Sequence, residues 1–400
     1  MKHYIHWIAF ILASLFFLFE FVARIEPGLA SQQISTYFQL SNAGFGTLVS
    51  LFFWIYAPMQ LAVGVLLDRY GARHLLPAAI LTCSVGVLIF SQSPNAIAAG
   101  LGRLCIGLGA SFAFVGALYV VNHQFKSSQF AILSGAVNAI GMVGTAVGAV
   151  ALTAMIDLAG WKSVFLYTSV FGFILFILSL IFLKDGSREK TNNPNVFASL
   201  HEVIKDPRIW IISVIGALYY MPVNIFGGLW GKSELTTDHA LSSVNAEIAV
   251  SMIFCGMAIG SILAGILSDK FGHRKYFIAG GALLMGVVFS IALYLPINSV
   301  LPLALLIFIA GILGGGQMLT FAMAKEYKPK SMSGTVIAFV NMLGIAGALI
   351  FQPLVGTIVD MEQGHFGLAL LTIPVCLLLA GVLALTLKEN RHEDHTEASP

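Results

Sequence analysis

The chain has 400 residues, 58% of them hydrophobic and only 10% charged, with a mean hydropathy of +0.89. Soluble domains carry about 25% charged residues, so this composition excludes one and marks a protein that crosses a membrane many times. The net charge of +2 comes from Lys and Arg scattered between apolar runs, which excludes a nucleic-acid face, and the four Cys lie far apart with no CxxC or Cys/His ligand spacing, which excludes a metal or redox motif.

A membrane span needs about 20 apolar residues. Cutting the sequence at its polar and Pro/Gly-rich breaks predicts twelve, at 5–29, 43–67, 74–92, 96–122, 128–155, 162–183, 208–230, 243–267, 275–294, 300–323, 332–358 and 367–387. The first is too long for a secretory signal and no small-x-small cleavage site follows it, so it is expected to stay as span 1. It ends in LFEFVARIEPGL, and a charge near the bilayer centre costs about 2.5–3.5 kcal/mol or more unless paired or wetted. At roughly 100° per residue, Phe17, Glu20, Arg24 and Pro27 share one stripe, whereas Glu26 points about 120° away from Glu20. Glu20 and Arg24, acid before base at i,i+4, can pair. Glu26, nearer the outer end, is expected to be hydrated.

After span 2 comes GVLLDRYGARH, with Asp68, Arg69, Gly71 and Arg73. Span 4 holds Arg103, the other arginine inside a span, and Tyr119; span 5 holds Asn138. Residues 184–207, rich in charge and Asn, read as a cytoplasmic linker between six-helix bundles at 1–183 and 208–387. Span 7 carries Tyr219, Tyr220 and Asn224 around Pro222; the proline frees a backbone carbonyl and lets the helix bend as an outer gate. Gln317 lies in span 10, and Asn341 and Gln352 in span 11. The tail 388–400 is expected to be disordered and cytoplasmic.

Seventeen of the 21 Lys and Arg fall on one side if the N-terminus is inside, so the positive-inside rule predicts that both termini are cytoplasmic. The halves repeat. GVLLDRYGARH (64–74) returns as GILSDKFGHRK (265–275), with Asp269, Lys270, Gly272 and Arg274 displaced by 201 from Asp68, Arg69, Gly71 and Arg73. Val137, Asn138, Gly141 and Asp157 return as Val340, Asn341, Gly344 and Asp360, displaced by 203. A duplicated six-span unit is the plan of transporters that rock two bundles about a midplane site. Mid-span glycines such as Gly141, Gly144 and Gly148 follow no strand and precede no Lys-Ser/Thr, so close helix packing explains them better than a phosphate loop.

With these motifs the chain resembles the major facilitator superfamily over its whole length. Residues 64–74 resemble that family's loop 2–3 signature GxLaDRxGrkR, and Arg103 to Ala110 (RLCIGLGA) resembles its span 4 motif, with Ile106 in place of the frequent Gln. Gly141 to Gly148 is similar in spacing to the antiporter motif gxxxGPxxGG, but Thr145 replaces its Pro, which argues against a drug/proton antiporter. Phe19 to Pro27 also resembles first spans in a branch with nutrient and siderophore transporters of intracellular bacteria.

The resemblance implies an all-α fold of two six-helix bundles related by a pseudo-two-fold, with spans 1, 4, 7 and 10 lining a central cavity. It implies that Glu20, Arg24, Arg103, Tyr119, Asn138, Tyr219, Tyr220, Asn224, Gln317 and Asn341 form the substrate and coupling site, both arginines in its outer half. It also implies an inner latch in which Asp68 meets the positive end of span 11 near Ser331, mirrored by Asp269 and span 5 near Ser128, with Arg69, Gly71, Arg73, Lys270, Gly272 and Arg274 serving turn and topology. The expected function is secondary active transport of a small carboxylate-bearing solute, such as an amino acid, short peptide or organic acid, by proton-coupled uptake. Alternatives are an exporter of a siderophore or drug and a non-transporting receptor or scaffold. The expected setting is the inner membrane of a bacterium, as a monomer in the lipid bilayer, with no cofactor, no metal, no nucleic acid and no enzymatic activity.

Overall fold

Ser41, Asn95 and Ser242 each accept a hydrogen bond from the backbone N–H three residues on, and so start spans 2, 4 and 8. Asp206 does the same for span 7 through Arg208 N, at 3.0 Å. These are the side chains that satisfy orphan N–H groups at helix starts. Gly71 and Gly272, at φ of 80° and 68°, make the tight turns after spans 2 and 8 that a residue with a Cβ resists.

The computed structural model describes residues 2–126, 129–183, 196–329 and 332–387. The expected disordered tail, the first half of the linker (184–195), Ser128 and Ser331 lie outside them. Twelve helices are long and apolar enough to span a membrane: His6–Leu29, Asn42–Tyr70, Ala72–Gln92, Ala96–Gln124, Ile132–Ala159, Trp161–Phe182, Pro207–Thr237, Ser243–Phe271, Arg274–Tyr294, Val300–Glu326, Ser333–Met361 and Gly367–Thr386. Short helices at Ser31–Phe38 and Val196–Ile204 lie between spans. Span 7 runs on to Thr237, past the expected end at 230.

Spans 1–6 and spans 7–12 form two six-helix bundles in which matching pairs pack alike: span 2 on 4 as 8 on 10, span 3 on 6 as 9 on 12, and span 1 on 5 as 7 on 11. Between the bundles, span 2 packs on span 11 and span 5 on span 8. Such exchanged pairs are what a two-fold axis through the centre requires. Glycines permit the closest crossings: a Cβ on Gly256 would lie 2.9 Å from Gly311 Cα, and one on Gly311 would lie 3.0 Å from Gly256 Cα. In a bilayer, where apolar burial does not drive helices together, such close packing is a main source of association.

Spans 4, 7 and 10 are interrupted. Span 4 breaks at Ser111–Phe112, span 10 tightens to a 3₁₀ turn over Gly315–Met318, and span 7 widens to a π-helix over Pro222–Trp230. Pro222 lacks the N–H that would continue the α-helical ladder, so the sequence expectation of a bend is met by a widened stretch. Non-α backbone within a span is tolerated where it is buried in protein or lines a cavity.

Candidate substrate and coupling site

We term the face carrying the Gly71 and Gly272 turns the inner face, after the distribution of basic residues. Contacts between bundles cluster at the outer face. Ser31 and Ser233 hydroxyls meet at 2.7 Å, and Lys232 Nζ donates to the Leu29 carbonyl at the end of span 1. Asp360, at the end of span 11, accepts from Asn42 N and Ala43 N, both at 2.9 Å, and so caps span 2 across the interface. Asp157, at the end of span 5, accepts from Ser243 Oγ at the start of span 8, at 3.2 Å. At mid-depth, Asn341 Nδ2 donates to Gln60 Oε1 at 3.1 Å. The outer crossing of spans 2 and 11 is tight: a Cβ on Gly46 would come 2.5 Å from the Gln352 carbonyl oxygen. The hydrogen bonds between the bundles thus gather at the outer face and at mid-depth.

Beneath the outer closure lies the pair foreseen in span 1. Glu20 is fully buried, and Arg24 Nε stands 3.5 Å from its Oε1. Neither Glu20 oxygen has a hydrogen-bond partner among the described residues. Arg24 lies over the Phe21 ring, with Cζ 3.8 Å from its centroid, which fixes its plane by cation–π attraction. Tyr220 of span 7 and Tyr56 of span 2 are close enough to both charges to interact with them, and Tyr56 is hydrogen-bonded to Gln60. Between Arg24 and the outer closure remains a gap of about 10 Å³ bordered by Phe53, Asn224, Phe254 and Gln352, room for about one water. A vestibule of about 640 Å³, bordered by Gln32, Asp157 and Lys232, opens outside it.

The other foreseen residues divide. Asn224 Nδ2 donates to the Gly344 carbonyl at 3.2 Å, and its own carbonyl accepts from Gln352 Nε2 at 3.0 Å; both side chains border the gap beside Arg24. Gln317 is buried in the 3₁₀ turn with Oε1 unpartnered among the described residues, and its Nε2 is 4.0 Å from the Cβ position of Gly344. Asn341 meets Gln60 as above. Asn138 is half-buried with Nδ2 4.0 Å from Met142 Sδ, and Tyr119 stacks on His123 at 3.9 Å between ring centroids.

Three expectations are corrected. Arg103 does not line the cavity: its guanidinium donates to the carbonyls of Ala23 (3.0 Å), Arg24 (3.3 Å) and Val49 (3.3 Å from Nε and 3.1 Å from Nη2), and so ties span 4 to spans 1 and 2. Tyr219 turns into its own bundle, where its hydroxyl donates to the Leu313 carbonyl at 2.6 Å. Glu26 is not hydrated. It is buried in the first bundle and accepts from the Thr168 hydroxyl, which suffices to hold a carboxyl group away from water.

At the inner face Asp68 is exposed, and the Ser331 and Ser128 regions of the expected latch lie outside the described residues. Arg69 lies over the Tyr70 ring and Lys270 near the Phe271 ring. Arg274 binds Asp269 at 3.2 Å and Glu326 at 2.5 Å within its own bundle, while Arg73 has a partner of its own. Sequence reasoning missed Tyr56 and Gln60, although their i,i+4 spacing in an apolar span marks one polar stripe. It also missed the outer caps, although Asp157 and Asp360 had surfaced as a repeated pair.

Two repeated six-helix bundles that meet at the outer face and hold a buried charged pair beneath it define a secondary transporter of the alternating-access class. The sequence profile of the Major Facilitator Superfamily matches residues 8–233 and again 212–400, and the chain belongs to that family. It is 26% identical over 360 residues to a probable nitrate/nitrite transporter of Mycobacterium tuberculosis, covering 85% of this chain and 86% of that one. It is 25% identical over 394 residues to the hexuronate transporter of Bacillus subtilis, covering 92% and 89%. Among solved structures, its fold is similar to a bacterial homologue of the human lysosomal transporter Spinster in an inward-facing, unoccupied conformation (TM-score 0.75, 17% identity, 96% and 95% coverage). It is also similar to a D-xylose-proton symporter (TM-score 0.74, 16% identity, 96% and 98% coverage). The protein is a multi-pass membrane transporter and not an enzyme.

Proposed function

We propose that this protein takes up a small organic anion together with a proton, with Arg24 as the anion anchor and Glu20 as the proton carrier. The observation that carries the reading is the Glu20–Arg24 pair: a buried carboxyl group with no hydrogen-bond donor on either oxygen, 3.5 Å from one guanidinium. A lone carboxylate out of water is costly, and a proton or a donor removes that cost. When an anion takes Arg24, Glu20 loses its counter-charge and a proton compensates. When the anion leaves, Arg24 returns and the proton is released. The names of the relatives support an anionic cargo, since nitrate, nitrite and hexuronate are all anions. On this reading the protein works in the inner membrane of a bacterium, with both termini cytoplasmic and the monomer as the working unit, and the outer contacts close that face when the site turns inward. Its bundles run over 1–183 and 208–387, and the cycle needs no cofactor.

The test is proton entry. In liposomes holding the purified protein and a pH-sensitive dye, adding organic anions outside acidifies the lumen faster than in protein-free liposomes with at least one of them. Acidification with none across a panel of carboxylates, alongside transport of a neutral solute, overturns the reading.

A further inference from the structure

The proposal above leaves open which anions fit, and the inference here rests on that reading. Among the described residues, most basic side chains of the spans lie within two residues of a span end, and those farther in are Arg24, Arg103 and, near the outer end of span 7, Lys232. Arg103 has its Nε, Nη1 and Nη2 groups committed to backbone carbonyls, and Lys232 is tied to Leu29 in the outer closure. One guanidinium is left to meet a carboxylate. With Glu20 protonated, one negative charge balances Arg24, whereas a second stands unpaired in a low-dielectric site, where an uncompensated charge is strongly disfavoured.

The neutral groups around Arg24 add a second, independent constraint. Buried side-chain atoms without a partner among the described residues include both Glu20 oxygens, Gln317 Oε1 and Gln352 Oε1, beside one amide donor, Gln60 Nε2, and the Ser134 and Thr153 hydroxyls of span 5. Gln352 borders the same gap as Arg24. Gln317 sits beside Gly344, whose carbonyl binds Asn224. The orphans near the site are thus mostly acceptors, and a ligand that completes them must bring donors. Hydroxyl groups do so without adding charge. An ammonium group would place a second cation beside Arg24, whose only nearby counter-charge is Glu20.

We infer that the site takes a polyhydroxylated monocarboxylate, its one carboxylate on Arg24 and its hydroxyls on the amide oxygens of Gln352 and Gln317, and discriminates against dicarboxylates, zwitterions and plain fatty acids. A site whose buried polar groups expect hydrogen bonds rejects analogues that lack them far more strongly than an apolar pocket rejects a misfit.

Four six-carbon acids test this on the intact protein in liposomes: D-gluconate, D-glucarate, L-norleucine and hexanoate. They keep the chain length and change only the second carboxylate, the ammonium group or the hydroxyls. Under an imposed pH gradient, with the entry into protein-free liposomes subtracted, D-gluconate enters at least about tenfold faster than each of the others, and Gln352→Leu narrows its lead over hexanoate. Equal or faster entry of D-glucarate, L-norleucine or hexanoate overturns the inference, as does entry of none of the four. The broader reading is judged separately. If two- to four-carbon carboxylates still drive proton entry beyond that of protein-free liposomes, an anion and proton carrier remains and only the cargo assignment fails.

Discussion

Arg24 and Arg103 lie in the outer halves of neighbouring spans, and their surroundings give them opposite roles. Arg103 is fully buried and donates to three carbonyls of two other spans, so its fork holds the bundle together. Arg24 keeps its guanidinium beside Glu20, on an aromatic face. Lys cannot reproduce a planar fork. Arg103→Lys is therefore expected to lower stability by on the order of 2 kcal/mol, seen as a fall in thermal midpoint, with ligand affinity kept in the folded fraction. Arg24→Lys is expected to leave the midpoint nearly unchanged and to weaken anion binding at least about tenfold. The reverse pattern in a paired melting and binding measurement contradicts the assignment. A second residue-scale prediction concerns His239, beyond the outer end of span 7. Its imidazole donates to Glu234 at 3.2 Å and to the Ile297 carbonyl at 2.8 Å, and chiefly the Glu234 hydrogen bond raises its pKa from 6.5 to about 9. A raised pKa stabilises the fold below the unfolded value, so this contribution is complete below about pH 6.5 and disappears as pH rises through about 9. Melting profiles between these limits should show a loss that His239→Gln lacks; parallel profiles rule the contribution out.

At the level of elements, the repeat places four aspartates at helix ends, two at each face. Asp360 caps span 2 and Asp157 meets the start of span 8 across the outer face, whereas Asp68 is exposed at the inner face. A lost helix cap costs about 0.5–2 kcal/mol. Asp360→Asn is thus expected to shift the protein toward the outer-open form, and Asp68→Asn, by weakening the inner latch, toward the inner-open form. Spin labels on Ser31→Cys and Ser233→Cys, whose hydroxyls meet at 2.7 Å, report both: the outer distance lengthens in the first variant and not in the second. Unchanged distances in the Asp360 variant contradict the outer cap. The twelve spans and the duplication were legible in the sequence because apolar length and repeated spacing are local properties. The Glu20–Arg24 pair was legible for the same reason, since four residues on a helix fix its geometry. Arg103 was not, because its acceptors are backbone carbonyls 54 and about 80 residues away, with no side-chain signature. Glu26 was misjudged because its partner, Thr168, is 142 residues distant. The widened turn of span 7 was half legible: Pro222 announced an interruption, but its form depends on the packing of neighbours.

Across the whole molecule, the exchanged packing of spans 2 on 11 and 5 on 8 gives two interfaces about which the bundles can rock, and spans 4, 7 and 10 carry the interruptions of the α-helix. The outer contacts Ser31–Ser233, Lys232–Leu29 and Asp360–Asn42 lie between the buried Glu20–Arg24 pair and the outer face, and in the proposed cycle only one face reaches the pair at a time. Coupling then needs a group that gains and loses a proton between the two openings, and a neutral amide of the same shape cannot do so. The most direct measurement compares wild type and Glu20→Gln in liposomes, scoring substrate accumulation under an imposed pH gradient and exchange without one. The account predicts that Glu20→Gln abolishes accumulation and retains exchange. Full accumulation by Glu20→Gln would contradict it and leave the pair as a static tie within span 1.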